Sequence, residues 1–188
     1  MRLLSHIVLL LSLLAAPAVA AERYVAIYGG TYVASTTTAL GDSFQPVRVS
    51  YDAGYAVSGT VGVALDNGLR FENELTWRQA SPRNGSDDMW AIGWLVNGWY
   101  DLRNSSAWTP YIGGGFGLGR AHVSSPGHVD HTGSGIAYQA GGGTLVKLQQ
   151  NMSLDLGYRY FGVSDTSSGL SNADLVGSTF LAGVRFSF

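Results

Sequence analysis

The feature that most constrains the fold is an alternation of apolar and polar side chains with a period of two residues. The clearest example is 153–160, which reads Ser-Leu-Asp-Leu-Gly-Tyr-Arg-Tyr. Because successive side chains of a β-strand point to opposite faces of the sheet, this run predicts a strand with one apolar and one polar face. The same pattern recurs in 179–188 and in 69–78, where Asn73 interrupts the apolar row. The sequence therefore predicts an all-β protein.

Eight such segments are predicted, and the connections between them alternate in length. The segments cover 22–33, 48–65, 69–80, 89–102, 108–122, 135–149, 153–164 and 179–188. The short connections are 66–68, 103–107 and 150–152, and the long polar ones are 34–47, 81–88, 123–134 and 164–178. Most segments have the roughly 9–11 residues that a tilted strand needs to cross a bilayer. The pattern is typical of an eight-stranded antiparallel up-and-down transmembrane β-barrel with short periplasmic turns and long outer loops.

Residues 1–20 have the composition of a secretory signal peptide. Arg2 supplies a positive charge, 7–14 form an apolar run, and Ala18-Val19-Ala20 fits the small-x-small cleavage rule. The apolar run is shorter than the roughly 20 residues of a membrane-spanning helix. We therefore expect cleavage after Ala20 and one barrel domain over 21–188, with an uncleaved anchor helix as the alternative.

The composition excludes several other classes of protein. The chain has no cysteine, which excludes a disulfide framework and a thiolate metal site. Its formal net charge of −2 offers no basic surface to a nucleic acid. Charged residues make up 13% of the chain and aromatic residues 12%, a balance that does not fit intrinsic disorder.

Two features favour lipid rather than water outside the predicted barrel. Aromatic residues cluster near the segment ends, as interfacial girdles do. These residues are Tyr24, Tyr32, Trp77, Trp90, Tyr100, Trp108 and Tyr160. The opposite face mixes glycines with charges that we expect to pair across a narrow lumen. These charged residues are Arg70, Glu72, Glu74, Arg78, Lys147, Asp155, Arg159 and Arg185. A soluble β-sandwich or a lipocalin-like barrel is the alternative.

Several stretches resemble the small outer-membrane β-barrel family, which groups OmpA-like transmembrane domains with surface antigens of the Opa and Msp4 type. Residues 137–143 and 153–161 resemble its penultimate hairpin, 110–117 its fifth strand, and 97–101 the end of its fourth. The final Arg-Phe-Ser-Phe, 185–188, resembles the aromatic signal that the barrel-assembly machinery reads. The resemblance implies an eight-stranded barrel in the outer membrane and no single activity. OmpA continues into a peptidoglycan-binding domain, and we expect that anchoring function to be absent here.

A histidine-rich stretch of the third long connection is the main candidate for chemistry. It contains His122, His128, Asp130 and His131, with Ser124, Ser125 and Ser134 nearby. Imidazoles with a carboxylate can hold a metal ion, and Ser, His and Asp can form a hydrolase site at a barrel rim. The surrounding Pro, Gly and Ser residues offer little support for a preorganised site. A solvated surface loop is therefore the preferred interpretation.

Two other patterns have structural explanations. Glu72 and Glu74 lie two residues apart on one predicted strand and so share the lumen face, where they could form an acid/base pair. Ion pairing with the inward arginines is the stronger interpretation. Glycines alternate through 113–119 and recur at 141–143, but no helix follows either run, as a phosphate-binding loop would require. We expect these glycines to leave room for large side chains across a narrow barrel.

The sequence thus predicts a structural or surface-exposed outer-membrane protein that contributes to envelope integrity and presents loops for adhesion or ligand contact. A narrow porin-like channel for small solutes and a rim enzyme acting on lipid or peptide are the alternatives. The preferred interpretation is not an enzyme and includes no catalytic, cofactor-binding or metal-binding residues and no cofactor. Expected partners are outer-membrane lipid and lipopolysaccharide, the barrel-assembly machinery acting through Phe188, and a host or surface ligand at the loops.

Overall fold

Ten β-strands make up the computed structural model, which describes residues 21–35, 37–40, 46–49, 52–81, 89–123, 131–165 and 175–188. The strands are β1 (Ala21–Ala34), β2 (Thr37–Leu40), β3 (Pro46–Val49), β4 (Gly54–Leu65), β5 (Leu69–Ala80), β6 (Met89–Asp101), β7 (Trp108–Val123), β8 (His131–Gln149), β9 (Met152–Asp165) and β10 (Leu175–Ser187). The expected signal segment, 1–20, lies outside the described residues. Among those residues, no helix has the length and hydropathy that a membrane crossing needs.

Eight of the strands close into one antiparallel barrel, as predicted, and β10 completes it by pairing with β1. The remaining two strands, β2 and β3, pair with each other inside the first long connection. The predicted second segment, 48–65, is therefore wrong in its first part, since β4 begins at Gly54. Gly54 already lies opposite Tyr32, close to the end of β1. The residues before Gly54 have little barrel backbone left to pair with, so 46–49 pairs locally.

Strand pairing also extends into two of the predicted long loops. β8 begins at His131 rather than at 135, and β10 begins at Leu175 rather than at 179. His131 lies opposite Val123 and Leu175 opposite Val163, so the added residues find backbone partners. Because neighbouring strands are antiparallel, the strand ends that the long connections join lie at the end of the barrel opposite the three short turns.

The short connection 66–68 forms a tight turn between β4 and β5 around its Asn-Gly pair. Gly68 has a φ of 89°, in the left-handed region that favours glycine. Its amide donates to the Leu65 carbonyl at 3.1 Å, and the Asn67 side-chain oxygen accepts from the Leu69 amide at 3.0 Å. These bonds fix the register in which β5 leaves the turn.

The alternation of side chains gives the barrel an apolar outer wall. On β6, burial alternates without a break from Met89 to Asp101. On the outward rows Ile27, Phe116 and Phe180 are 75%, 71% and 61% exposed. A protein surrounded by water rarely exposes so continuous an apolar surface, so the wall fits the expectation of lipid outside.

The lumen is filled by two groups of inward side chains. The half nearer the long connections holds a mainly apolar cluster rich in alanine. Its buried members are Ala26, Tyr28, Tyr32, Ala34, Ala56, Ala80, Met89, Ala91, Leu95, Ala137, Phe161, Val163 and Leu181. The half nearer the short turns holds most of the charged side chains together with Tyr24, Trp99 and Tyr111.

Three predicted positions are wrong. Tyr24 and Tyr32, which the sequence predicts in the aromatic girdle, are buried in the lumen, at 1% and 0% exposure. They share the inward row of β1 with Ala26, and the Tyr24 hydroxyl finds a carboxylate there. Lys147 was assigned to the lumen but is exposed near the end of β8, where pairing with β9 shifts between Lys147 and Gln149.

Glycines make room for the lumen tyrosines, as the sequence predicted. Tyr24 lies opposite Gly62, and a Cβ atom on Gly62 would come 2.5 Å from the Tyr24 Cζ. Tyr111 lies opposite Gly143, where a Cβ would come 2.6 Å from its hydroxyl oxygen. Each ring thus occupies the space that a side chain on the neighbouring strand would need.

Asn73 interrupts the outward row of β5 between Phe71 and Leu75. It lies opposite Val61 on β4 and Val96 on β6, and it is only 4% exposed. Neither its side-chain oxygen nor its nitrogen has a hydrogen-bond partner within the described part of the chain. An amide buried in this way costs free energy, because no new bond replaces those it made with water.

Replacing Asn73 with Leu should therefore stabilise the barrel. The change removes two unpartnered polar atoms and fills a similar volume with apolar carbon. We expect the free energy of unfolding to rise by about 1–3 kcal/mol, measured by urea unfolding in detergent micelles. Asn97→Leu is the matched control, because the Asn97 amide donates to Glu74 at 2.7 Å, and it should destabilise. A fall in stability for Asn73→Leu would contradict this account.

Candidate functional site

The candidate site is the polar network inside the lumen. Strand alternation places Arg70, Glu72 and Glu74 on one inward row of β5, where they are 0%, 2% and 4% exposed. Asp155 and Arg159 on β9 face them across the lumen, at 0% and 4% exposure. Of the eight predicted lumen charges, all except Lys147 are buried as expected.

Glu72 is the centre of the network. Its carboxylate accepts hydrogen bonds from the Tyr24 hydroxyl at 2.6 Å, an Arg70 guanidinium nitrogen at 2.8 Å and the Trp99 indole nitrogen at 2.9 Å. Arg70 also bonds Asp101 on β6 at 3.1 Å. The carboxylate therefore joins β1, β5 and β6, and its charge is balanced within the lumen.

Asp155 is the second carboxylate centre, and tyrosines surround it. It accepts from the Tyr111 hydroxyl at 2.6 Å and from the Tyr28 hydroxyl at 3.0 Å. Arg159 donates to the same Tyr111 hydroxyl at 2.9 Å, and its guanidinium lies 4.1 Å from the centre of the Trp99 ring. Tyr111 thus links the cation to the carboxylate, and the cation gains a further contact with an aromatic face.

Among the described residues, Glu74 and Arg78 do not form the ion pairs that the sequence predicts. Glu74 accepts instead from the side-chain amides of Asn97 at 2.7 Å and Gln139 at 2.5 Å. Arg78 donates to the Thr76 hydroxyl at 2.9 Å, and its guanidinium lies 3.7 Å from the centre of the Phe161 ring. The arginine–glutamate pairing is confirmed for Arg70 with Glu72.

Arg185 forms a further ion pair at the edge of the lumen. It reaches Glu22 at 3.2 Å, and the Glu22 side chain is 57% exposed. The guanidinium also lies 3.8 Å from the centre of the Tyr24 ring. This pair lies at the end of the barrel with the short turns, where β1 begins and β10 ends.

Several members of the network are not predicted from the sequence. These residues are Tyr24, Tyr28, Asn97, Trp99, Asp101, Tyr111 and Gln139. A signal was available for some of them, since Tyr24 and Tyr28 alternate with Val25 and Ile27 and therefore face the lumen. Each of the seven has a polar group that forms a hydrogen bond with one of the predicted lumen charges, and only Asp101 is itself charged. Asp101 accepts from Arg70, and the other six donate hydrogen bonds to the carboxylates. These fixed bonds favour a structural role for Glu72 and Glu74 over acid/base chemistry.

The histidine-rich stretch is only partly within the described residues. His122 on β7 stacks on Trp90 with ring centroids 5.5 Å apart, and its Nδ1 lies 2.8 Å from the Thr132 hydroxyl. His131 is the first residue of β8. His128, Asp130, Ser124 and Ser125 lie outside the described residues. Within the part of the chain that the structure describes, no group of three or more His, Cys, Asp or Glu residues is arranged to hold a metal.

The outer wall carries the remaining aromatic residues of the predicted girdle. Trp77, Tyr100, Trp108 and Tyr160 are 42%, 47%, 54% and 41% exposed on outward rows. Trp90 stacks on Trp77 with ring centroids 5.9 Å apart and continues to His122. Amphipathic rings in such positions are typical of the boundary between lipid and water.

Comparison with known proteins agrees with this architecture. The sequence profile of a family described as "Outer membrane protein beta-barrel domain" matches residues 6–188. Outer membrane protein PagN of Salmonella typhimurium is 30% identical over 125 residues, which cover 53% of this chain and 52% of PagN. The chain thus spans about half the length of that curated relative.

Solved structures show the same fold. Neisserial surface protein A (NspA) matches with a TM-score of 0.65 and 22% identity, over 89% of this chain and 99% of NspA. OprG from Pseudomonas aeruginosa matches with a TM-score of 0.58 and 12% identity, over 90% of this chain and 96% of OprG. Ail of Yersinia pestis matches with a TM-score of 0.52 and 17% identity, over 90% of this chain and 99% of Ail.

The network predicts a large stability loss for Glu72→Ala. Removing this carboxylate takes away the ion-pair partner of Arg70 and the acceptor of Tyr24 and Trp99. We expect the free energy of unfolding to fall by about 3–5 kcal/mol, as for a buried pair that loses one member. Urea unfolding in detergent micelles measures the loss.

Glu22→Ala is the control for this variant. The Glu22 side chain is 57% exposed, so its ion pair with Arg185 is open to water on one side and should contribute no more than about 1 kcal/mol. Equal, small losses for both variants would mean that water reaches Glu72 and that the lumen is wet.

Proposed function

The chain belongs to the outer membrane protein β-barrel domain family, and from that premise we propose that it is a surface-presenting barrel with a sealed lumen. In this proposal the barrel contributes to the integrity of the outer membrane, and its long connections face the outside for adhesion or ligand contact. The polar network of the lumen is the observation that carries the proposal. Its residues hold the wall together from within and fill the space that a channel would need.

The burial of the charged groups supports a sealed lumen. Arg70 and Asp155 are 0% exposed and Glu72 is 2% exposed, whereas charges that line an aqueous channel are hydrated. Tyr24, Trp99 and Tyr111 contribute aromatic rings between these charges. Eight strands also enclose an interior only wide enough for side chains. A narrow porin-like channel is the alternative that this arrangement disfavours.

The sealed lumen predicts no steady conductance for the wild-type protein in planar bilayers. The Arg70→Ala/Glu72→Ala double variant removes both members of the central ion pair and three hydrogen bonds to one carboxylate. We expect this variant to show openings if it folds, which its heat-modifiable mobility on gels would establish. Large, steady conductance of the wild type would contradict a sealed lumen and would favour the porin-like alternative.

The long connections supply the proposed contact surface, and their net charge limits which class of ligand could bind there. The segments 35–53, 81–88, 124–130 and 166–174 contain six aspartates against two arginines and no lysine or glutamate. Ail has been solved in complex with the heparin analogue sucrose octasulfate. A sulfated polyanion would meet net negative charge on the connections of the present chain. We therefore propose a neutral or basic ligand rather than a heparin-like one.

The C-terminal residue is a proposed contact for the barrel-assembly machinery. Phe188 is 71% exposed and follows the outward residues Phe180 and Phe186 of β10. Its backbone amide donates to the Arg23 carbonyl at 2.9 Å, which extends the pairing of β10 with β1. An outward aromatic residue at the closing edge of the sheet is accessible to an assembly factor before the barrel closes.

The proposed orientation makes a prediction for trypsin added to intact cells. Arg48 and Arg83 lie in long connections, whereas Arg103 lies in a short turn. Peptide mapping should find cleavage after Arg48 and Arg83 but none after Arg103, and the treated cells should lose attachment to host-cell surfaces. Cells that lack the protein are the control for attachment. Cleavage after Arg103 in intact cells would reverse the orientation, and unchanged attachment after complete cleavage would remove the adhesion role.

A further inference from the structure

The middle of the lumen contains a carboxylate that the polar network pairs only with neutral groups. Glu74 is 4% exposed, and the side-chain amides of Asn97 and Gln139 both donate to its Oε2 atom. Arg78 lies on the same inward row of β5, but its guanidinium bonds the hydroxyl of Thr76, which lies between the two residues. Within the described part of the chain, the charge of Glu74 is therefore not balanced by direct contact with a cation.

The buried charges of the lumen show the same excess of negative charge. At the end with the short turns, Arg185 is balanced by Glu22. Three arginines and four carboxylates remain among the described lumen residues, which leaves one negative charge in excess. They are Arg70, Arg78 and Arg159 against Glu72, Glu74, Asp101 and Asp155. Because an unbalanced charge is costly in a low-dielectric interior, one further positive charge would stabilise the lumen.

Three oxygen atoms near Glu74 have no hydrogen-bond partner in the described part of the chain. Thr60 lies directly opposite Glu74 on the inward face of β4, and its hydroxyl is unpartnered. Ser58, the next inward residue of β4, has an unpartnered hydroxyl as well. The third is the carbonyl oxygen Oε1 of Gln139, whose amide nitrogen bonds Glu74. Ser58, Thr60 and Gln139 are only 7%, 5% and 3% exposed, so bulk water does not satisfy these atoms.

The chemistry of these atoms indicates which ligand they would bind. Carboxylate, hydroxyl and amide carbonyl oxygens are hard ligands, which prefer hard metal cations. The set includes one carboxylate, and the lumen has one negative charge in excess, so a divalent ion would leave a positive charge unbalanced. On its other side Thr60 lies opposite Ala26, a small side chain that leaves space beside the hydroxyl. The set therefore fits one monovalent cation.

We propose that the middle of the lumen binds one alkali-metal cation, with Glu74, Thr60 and the Gln139 carbonyl oxygen as ligands and Ser58 beside them. The ion balances the excess carboxylate and connects β4, β5 and β8 through one centre. Because the ligands come together only when the barrel closes, the folded chain binds the ion and the unfolded chain does not. This inference goes beyond the proposed function, since it does not depend on what the long connections bind.

Urea unfolding of the folded protein in a non-ionic detergent tests the proposal. The measurement is made in sodium chloride, potassium chloride and choline chloride at equal ionic strength, and choline is the control because it is too large for the site. The equilibrium constant for unfolding of the wild type should be about tenfold smaller in one of the alkali salts than in choline chloride. That ratio is expected when the ion is present at about ten times its dissociation constant.

Two variants assign the effect to the proposed ligands. Glu74→Gln keeps the size of the side chain but removes its charge, and it should abolish the difference between the alkali salt and choline chloride. Thr60→Val keeps the shape of the side chain but removes the hydroxyl oxygen. It should reduce the difference to about threefold, as expected for the loss of one neutral ligand.

Two matched controls separate the site from the rest of the lumen. Thr179→Val removes another buried hydroxyl, which accepts from Arg78 at 3.4 Å. Glu22→Gln removes a carboxylate whose side chain is 57% exposed and therefore surrounded largely by water. Both controls should keep the tenfold difference between salts, whatever their own stability. Heat-modifiable mobility on gels shows which of the four variants are folded.

Equal stability of the wild type in all three salts would overturn the proposal, because water or a proton would then satisfy Glu74. An unchanged salt difference in Thr60→Val, or its loss in Thr179→Val or Glu22→Gln, would place the ion elsewhere and would overturn it as well. If Glu74→Gln does not fold, the comparison of Thr60→Val with Thr179→Val decides. A lumen open to bulk water would appear separately, as conductance of the wild type.

Discussion

Closure of the sheet is the constraint on which the rest of the structure depends. In a bilayer no water is available to an unpaired backbone group, and each one left unpaired costs several kcal/mol. Pairing of β1 with β10 removes both sheet edges. Closure with eight strands also limits the interior to the width of packed side chains. Every inward residue must therefore find both its volume and its hydrogen-bond partners inside the lumen.

Tyrosine and glycine meet those two demands together. A tyrosine ring lies over a glycine of the adjacent strand, as Tyr24 does over Gly62 and Tyr111 over Gly143. The hydroxyl then reaches a carboxylate, Glu72 in the first case and Asp155 in the second. A phenol gives a buried carboxylate a partner without bringing another full charge into the low dielectric of the lumen. The barrel thus needs few direct ion pairs to hold its inward charges.

The alternation of the sequence predicts which residues face the lumen, but it does not predict their partners. Seven of the eight predicted lumen charges are buried because a strand has two faces and one of them is apolar. Lys147 differs because it lies two residues from the end of β8, beyond Leu145, the last buried residue of that inward row. Tyr24 and Tyr32 lie near segment ends, as girdle residues do, but they share the inward row of β1 with Ala26 and therefore face the lumen. The partners of Glu74 are Asn97 on β6 and Gln139 on β8. Which residues reach Glu74 depends on how far these strands are shifted along one another, and only the strand pairing of the folded barrel determines that shift.

Glycines of β7 shape both the packing of the lumen and the surface of the outer wall. Gly113 and Gly115 point inward, where added Cβ atoms would meet Trp99 and the Asn97 side chain. Gly114, between them, points outward and lines an open depression of the outer wall beside Phe116. One run of three glycines therefore admits the large polar side chains inside and leaves a depression outside. Because the two faces use alternate residues, the inner packing constrains Gly113 and Gly115, while the shape of the outer surface depends on the outward position between them.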